Sequence, residues 1–131
     1  MENLLTISHD PVSLIRRAKA GVLKSELLEL QKQTGLSNEE LSEALQISVR
    51  ALLGYNTDEV LKTRISERVL AIAQLYARGF EVWKEKERFL RWMDQELIVF
   101  GGKKGKDLLD THFGINLLLD ELSRIEYGVL S

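Results

Sequence analysis

The chain has 131 residues, with 18 Lys and Arg against 20 Asp and Glu, one proline, no cysteine and 44% hydrophobic residues. That length serves one compact domain, or two small ones sharing a core, because such a chain buries about two thirds of its unfolded surface; the composition argues against disorder. Divided after Arg64, the chain carries 8 basic and 9 acidic residues before the cut and 10 and 11 after it, so no basic domain hides behind an acidic one.

The absence of cysteine excludes a disulfide framework, a zinc finger, an iron–sulfur site and a cysteine nucleophile. His9 and His112 are far apart in sequence and make a poor metal pair, so neither a metal nor another cofactor is expected. The longest unbroken apolar run, Val69 to Ala73, is far short of the roughly 20 residues of a membrane span. Glu2, His9, Asp10 and Pro11 stand where a signal peptide would have a charged start and an apolar centre. The expected compartment is the cytosol, with no membrane partner.

The hydrophobic period is helical nearly everywhere, and the expected class is all-α. Asp10-Pro11 suits a helix start, Asp as N-cap and Pro in the first turn, with Val12, Ile15 and Ala18 following at helical spacing and Gly21 as the stop. A second helix runs through Glu26-Leu27-Leu28-Glu29-Leu30 to Thr34-Gly35, after which Leu36 folds back on it. Ser37-Asn38-Glu39-Glu40 reads as a capping box, in which Ser37 and Glu40 satisfy each other's backbone N–H. The helix it starts has an apolar stripe of Leu41, Ala44 and Leu45 and breaks at Gln46-Ile47-Ser48. Ser48 then caps a short helix from Val49 to about Tyr55.

From Thr63 a longer amphipathic helix is expected, with Ile65, Val69, Ile72, Tyr76, Phe80 and Trp83 on one face. Lys84 to Met93 continues as a charged helix burying Phe89, Leu90, Trp92 and Met93. Leu97 to Phe100 reads as an extended connector or brief strand. Beyond Gly101-Gly102 come a short helix through Leu108-Leu109 and a last one from Gly114 to about Tyr127, with Ile115, Leu118, Leu119, Leu122 and Ile125 inward.

The two short helices about Gln46-Ile47-Ser48 have the size of a helix-turn-helix, whose second helix would place residues near its N-terminus in the major groove. The candidate DNA contacts are Ser48 for phosphate, Arg50 for a base or phosphate, and Tyr55 at the far end. A plain helical hairpin is the competing reading, because Leu52, Leu53 and Gly54 stand where polar readers are expected and little positive charge is available for phosphate neutralisation.

Gly101-Gly102-Lys103-Lys104-Gly105-Lys106 does not match a phosphate-binding loop. Three residues, not four, separate Gly101 from Gly105, and Asp107 replaces the hydroxyl that would hold magnesium. Asp110, His112 and Ser123 have the residue types of a triad without any sign of convergence. No catalytic residue is assigned, and an enzyme is not expected.

Arg88-Phe89-Leu90-Arg91-Trp92-Met93, Phe100-Gly101-Gly102, Asp107-Leu108-Leu109-Asp110-Thr111, Phe113-Gly114 and Leu122-Ser123-Arg124-Ile125-Glu126-Tyr127-Gly128 form an ordered series. In this series the C-terminal half resembles the toxin-binding domain of the Xre/MbcA/ParS antitoxins. Ile47-Ser48-x-Arg50 and Ser66-Glu67-Arg68 resemble the Xre helix-turn-helix and the segment after it. The family proline that follows the Gly-Gly pair is replaced here by Lys104-Gly105, and the polar or basic residues usual in the recognition helix by Leu53-Gly54.

The resemblance implies a bacterial antitoxin of a type II pair. Residues 1–63 would be the helix-turn-helix region, binding operator DNA as a homodimer. Residues 64–131 would be a small helical domain that caps a RES-domain toxin, one that consumes NAD or transfers its ADP-ribose. The toxin-binding residues carried over are Arg124, Tyr127, Gly128 and the tail Val129, Leu130 and Ser131, with Gly101, Gly102 and Thr111 shaping the scaffold beneath. Without the resemblance, Tyr127 serves equally well to close the last helix on its own core. The alternative function is a stand-alone helix-turn-helix transcriptional repressor.

Overall fold

The computed structural model describes residues 3–128. Among them are seven α-helices: α1 (Pro11–Ala20), α2 (Lys24–Thr34), α3 (Asn38–Leu45), α4 (Val49–Gly54), α5 (Thr63–Trp83), α6 (Lys86–Asp94) and α7 (His112–Glu126). Between α6 and α7, two-residue strands β1 (Glu96–Leu97) and β2 (Lys103–Lys104) pair antiparallel, Glu96 opposite Lys104 and Leu97 opposite Lys103. Short 3-10 turns at Ile98–Phe100 and Gly105–Leu108 follow each strand. The segment read as a connector or brief strand is thus divided, with Leu97 paired and the next three residues coiled. The short helix expected through Leu108-Leu109 is the second 3-10 turn, and the last helix begins two residues before Gly114.

Local caps place most boundaries. Asp10 accepts from the Ser13 backbone N–H and Pro11 fills the first turn of α1. The Ser37–Glu40 capping box is formed in both directions, at 3.0 and 2.9 Å. At the end of α3 Gln46 adopts a left-handed conformation, φ 56°, and the Ile47 N–H bonds back to the Ser42 carbonyl. This is the Schellman closure that turns the chain sharply into α4.

Helix α2 has no side-chain cap at Leu23, and long-range contacts replace it. The Glu59 and Thr57 carbonyls accept from the Lys24 and Ser25 N–H groups, and the Glu26 carboxylate accepts from Leu23 N–H. The buried Lys24 ammonium reaches in the other direction, donating to the Leu52 and Tyr55 carbonyls at the end of α4. Each helix therefore depends on the other's neighbourhood to satisfy its terminal polar groups.

Helix α5 runs through the middle of the molecule, packing against α1, α2, α3, α6 and α7. Ile65, Val69, Ile72 and Tyr76 are buried as expected, but so are Leu70, Ala73 and Leu75 on adjoining faces. One continuous core results, from Leu4 to Leu122. On α1, by contrast, Leu14 and Ala18 pack inward while Val12 and Ile15 face solvent.

At the far end of α5, Tyr76 and Phe80 meet Phe89 of α6 edge to face, with ring centroids 5.3 and 5.5 Å from it. Phe89 in turn stacks on Trp92, and Phe100 meets Trp92 edge-on. Edge-to-face pairs of this kind contribute about 0.5–1.5 kcal/mol each beyond area burial. The Phe89 ring can approach this closely only because residue 79 is glycine: an added Cβ would fall on the ring atoms themselves.

Two polar ties join the first half to the second. Arg68 donates through Nη1 to the Ala44 carbonyl at the end of α3 and to the Leu109 carbonyl ahead of α7, at 3.3 and 3.1 Å. Lys106 is paired with Glu40 of the α3 capping box and, at 2.6 Å, with Asp94 at the end of α6. Hydrogen bonds donated to the Asp94 and Glu40 carboxylates push the Lys106 ammonium up to about 12. At Glu40 partial burial acts to raise the carboxyl, but Lys106 and Ser37 together hold it below its ordinary value. Burial pushes the nearby Tyr76 phenol well above its usual range, and the charges of Glu40 and Asp94 add to this.

Two outcomes follow from this packing. Gly79→Ala should lower Tm by about 4–12 °C through overpacking against Phe89, measured by thermal unfolding; an unchanged Tm would show that Phe89 can step aside without loss. The second concerns pH. The depressed Glu40 contributes fully above its ordinary value of 4.5 and loses that contribution as pH falls through its folded-state value. The raised Lys106 contributes fully below 10.5 and loses its share only as pH climbs through about 12. Lys106→Met should therefore reduce Tm at neutral pH and flatten its fall below pH 4.5. An acid limb as steep as the parent's counts against the tie.

Candidate functional site

Two groups of residues carry the candidate contacts, and they approach one another where Lys106 of the second pairs with Glu40 of α3. The first lies on α3, the turn and α4. Ser48 N-caps α4, its hydroxyl accepting from the Ala51 N–H at 3.0 Å, so the residue read as a phosphate contact already has a structural task. Its side chain and that of Arg50 are exposed at the start of the helix. Tyr55 is half-buried against the core at the end of α4, with the Lys24 ammonium 6.0 Å from its ring centroid. Ser48 and Arg50 thus share the open end of α4, while Tyr55 is turned toward the Lys24 clip.

Little exposed positive charge accompanies Arg50. In the stretch from α3 to the start of α5, Glu39, Glu43, Asp58 and Glu59 are exposed, against Arg50, Lys62 and Arg64. Leu53 is 59% exposed near the end of the short helix. A groove of about 430 Å³ lies elsewhere, between α1, α5 and the start of α7, lined among others by Ile15, Arg64, Glu67 and Ala71.

The second group belongs to the hairpin and α7. Gly101 and Gly102 both take left-handed conformations, φ 68° and 80°, in the turn that carries β1 into β2. The Gly102 N–H closes the turn on the Leu97 carbonyl at 2.9 Å. Two successive residues of positive φ are what glycine supplies without a Cβ clash. Thr111 is the N-cap of α7, its hydroxyl accepting from the Gly114 N–H at 2.9 Å. Gly114 leaves room for the Leu108 carbonyl, on which a Cβ would fall. Leu108-Leu109-Asp110-Thr111-His112-Phe113-Gly114 therefore reads physically as a turn, a cap and a close approach. These residues set the start of α7.

The other end of α7 lies about 24 Å away along the helix axis from Thr111, so the structure does not bring Thr111 together with Tyr127. Arg78 of α5 holds this end by a two-pronged pair to Glu126, 2.9 and 2.5 Å. That contact keeps the Glu126 carboxyl below its ordinary range and raises the Arg78 guanidinium further. Beyond the clamp, Tyr127 is 74% exposed and Gly128 follows with φ 66°. Tyr127 therefore does not close the helix on its own core. The Arg124 side chain is 57% exposed and bonds Glu121 of the same helix at 3.2 Å. Val129, Leu130 and Ser131 lie outside the described residues.

Neither the Arg78–Glu126 clamp nor the Arg68 and Lys106 ties was anticipated, since each joins residues distant in sequence with no local pattern to mark them. His112 bonds Asn116 one turn along, at 3.0 Å. Among the described residues no group of three or more His, Asp and Glu could hold a metal ion, and no helix is long and apolar enough to cross a membrane.

A search of curated proteins finds no match to the chain. Two family models do match, and they divide at the middle of α5. Residues 13–74 match the antitoxin Xre-like helix-turn-helix domain. Residues 78–128 match the antitoxin Xre/MbcA/ParS C-terminal toxin-binding domain. Neither family is an enzyme family. With a helix-turn-helix domain followed by a toxin-binding domain over almost the whole described length, the chain belongs to the Xre/MbcA/ParS-type antitoxins.

Proposed function

We propose that this antitoxin neutralises a RES-domain toxin, one that consumes NAD or transfers its ADP-ribose, by laying the C-terminal end of α7 over the toxin's active site. The observation that carries the reading is Tyr127, mostly exposed beside an exposed Arg124 on a helix end that Arg78–Glu126 pins to α5. A Tyr and an Arg presented on a rigid element are typical interface anchors, because they bring large contact area and several donors at low entropic cost. Gly128, Val129, Leu130 and Ser131 would enter the cleft beyond them, on a scaffold shaped by Gly101, Gly102 and Thr111. The chain supplies no catalytic group and no cofactor in this scheme; it acts by occlusion, in the cytosol.

Residues 1–63 would carry the DNA-facing role and residues 64–131 the toxin-facing one. In the DNA-facing part Arg50 is the principal contact, Ser48 adds its exposed position at the open end of α4, and Tyr55 supports the helix from behind. A homodimer would present two such helices to half-sites about one helical turn apart. With few cations available to neutralise phosphates, binding would be weak and its salt slope shallow. The second reading, a stand-alone repressor, is favoured only by the exposed Arg50 and does not account for Arg124 and Tyr127.

Co-expression of the adjacent gene with this chain tests the antitoxin reading. The neighbour alone should arrest growth and the pair should not; a harmless neighbour, or arrest that this chain fails to relieve, refutes it. Deletion of Tyr127 to Ser131 leaves the Arg78–Glu126 clamp in place, so the truncated protein should melt within a few degrees of the parent and lose protection. Protection retained by the folded truncation would move the blocking residues elsewhere. On DNA, Arg50→Ala should weaken binding to a palindrome upstream of the gene and lower the salt slope by about 1. An unaltered slope would remove Arg50 from the contact.

A further inference from the structure

The fold accounts for only one side of α7. Ile115, Leu118 and Leu122 are buried, with Leu119 and Ile125 packed beside them. At 100° per residue the opposite side carries Phe113, Leu117, Asp120, Arg124 and Tyr127 in one stripe about 21 Å long. Phe113 is 83% exposed and Leu117 39%. The Phe113 ring is steadied by an edge contact with His112, centroids 6.1 Å apart, and His112 is in turn held by Asn116. A single exposed ring is ordinary, whereas Phe113, Leu117 and Tyr127 aligned on one face form a contiguous apolar stripe, the pattern of a contact surface.

The C-terminal patch of Arg124, Tyr127 and Gly128 is too small on its own for a stable complex, which takes about 800 Å² from each partner. The α7 stripe continues that patch without a break. The whole stripe also lies inside the matched toxin-binding domain and outside the matched helix-turn-helix domain, which favours the toxin over a second copy of this chain as its occupant.

We propose that the outer stripe of α7 is the main docking surface for the toxin, with Phe113 as an apolar anchor near the start of the helix, remote from the residues that cover the active site. The inference rests on the antitoxin reading and divides its labour: the stripe governs affinity, and the terminal residues govern inhibition. The partner face it fits has an apolar pocket for Phe113, an aliphatic shelf for Leu117, a cation opposite Asp120 and an anion opposite Arg124.

The test compares the full-length chain, Phe113→Asp, Leu117→Gln and the Tyr127–Ser131 deletion for binding to the purified companion toxin by calorimetry. Thermal unfolding and light scattering accompany each. An acidic residue suits the first turn of a helix, so Phe113→Asp should fold with the parent's Tm. It should weaken toxin binding by about 30-fold or more, the loss expected of an interface anchor. Leu117→Gln should weaken binding less, and the deletion should remove inhibition while retaining more affinity than Phe113→Asp. Parent-like affinity in Phe113→Asp overturns the proposal while leaving the antitoxin reading intact. A drop in oligomeric mass with unaltered toxin affinity assigns the stripe to a second copy and overturns it as well. A parent chain that does not bind the companion defeats the antitoxin reading and the stripe together.

Discussion

Everything in this molecule depends on α5 burying its surface on several sides at once. Ile65, Val69, Ile72 and Tyr76 form the stripe an amphipathic helix would need against one partner, and Leu70, Ala73 and Leu75 extend burial around the cylinder. A helix so enclosed cannot belong to one half alone: α1, α2 and α3 of the first half and α6 and α7 of the second all pack against it. With about 130 residues available, this sharing lets two modest helical units draw on one core of a size that neither would possess alone.

The shared helix also carries the polar groups that set the two ends relative to one another. Ser66, fully buried, takes the Val22 N–H and donates to the Leu61 carbonyl, fastening the loop before α5 to the start of α2. Arg68, one turn from the start of α5, holds the end of α3 and the turn before α7 in a single fork. Arg78 then clamps the end of α7. Charged hydrogen bonds to carbonyls and carboxylates in a partly desolvated setting are stronger than their surface counterparts. Spaced along one helix, the Ser66, Arg68 and Arg78 contacts relate the start of α2, the end of α3 and both ends of α7 to a common frame.

Small residues do comparable work by absence. Gly79 admits the Phe89 ring and Gly114 admits the Leu108 carbonyl. The aromatic cluster that begins with Tyr76 and ends with Phe100 can therefore sit flush on α5, and the hairpin that follows is carried on a firm base. The Lys104-Gly105-Lys106 segment is firmly held: Lys104 pairs in β2, Gly105 is buried and Lys106 lies between Glu40 and Asp94.

Local chemistry in the chain was sufficient for the helical class, for the caps at Asp10, Ser37 and Ser48, for the stop at Gly35 and for the inward faces of α5 and α7. Each of these depends on residues within about one turn of one another, where spacing and hydrogen-bonding capacity act directly. The ordered motifs from Trp92 to Gly128 were likewise legible, because turns, caps and close approaches demand particular residue types at short intervals. What the amino-acid order could not determine was the outward or inward fate of residues with equal apolar character. Val12 and Ile15 share their helical spacing with Ala18 yet face solvent, and Phe113 is as apolar as Phe89 yet uncovered. Tyr127 fitted a core position and an interface equally well until the packing left it outside. Only the tertiary structure decided these, since burial is settled by which surfaces the other helices reach, a relation between residues forty or fifty positions apart that no local pattern encodes.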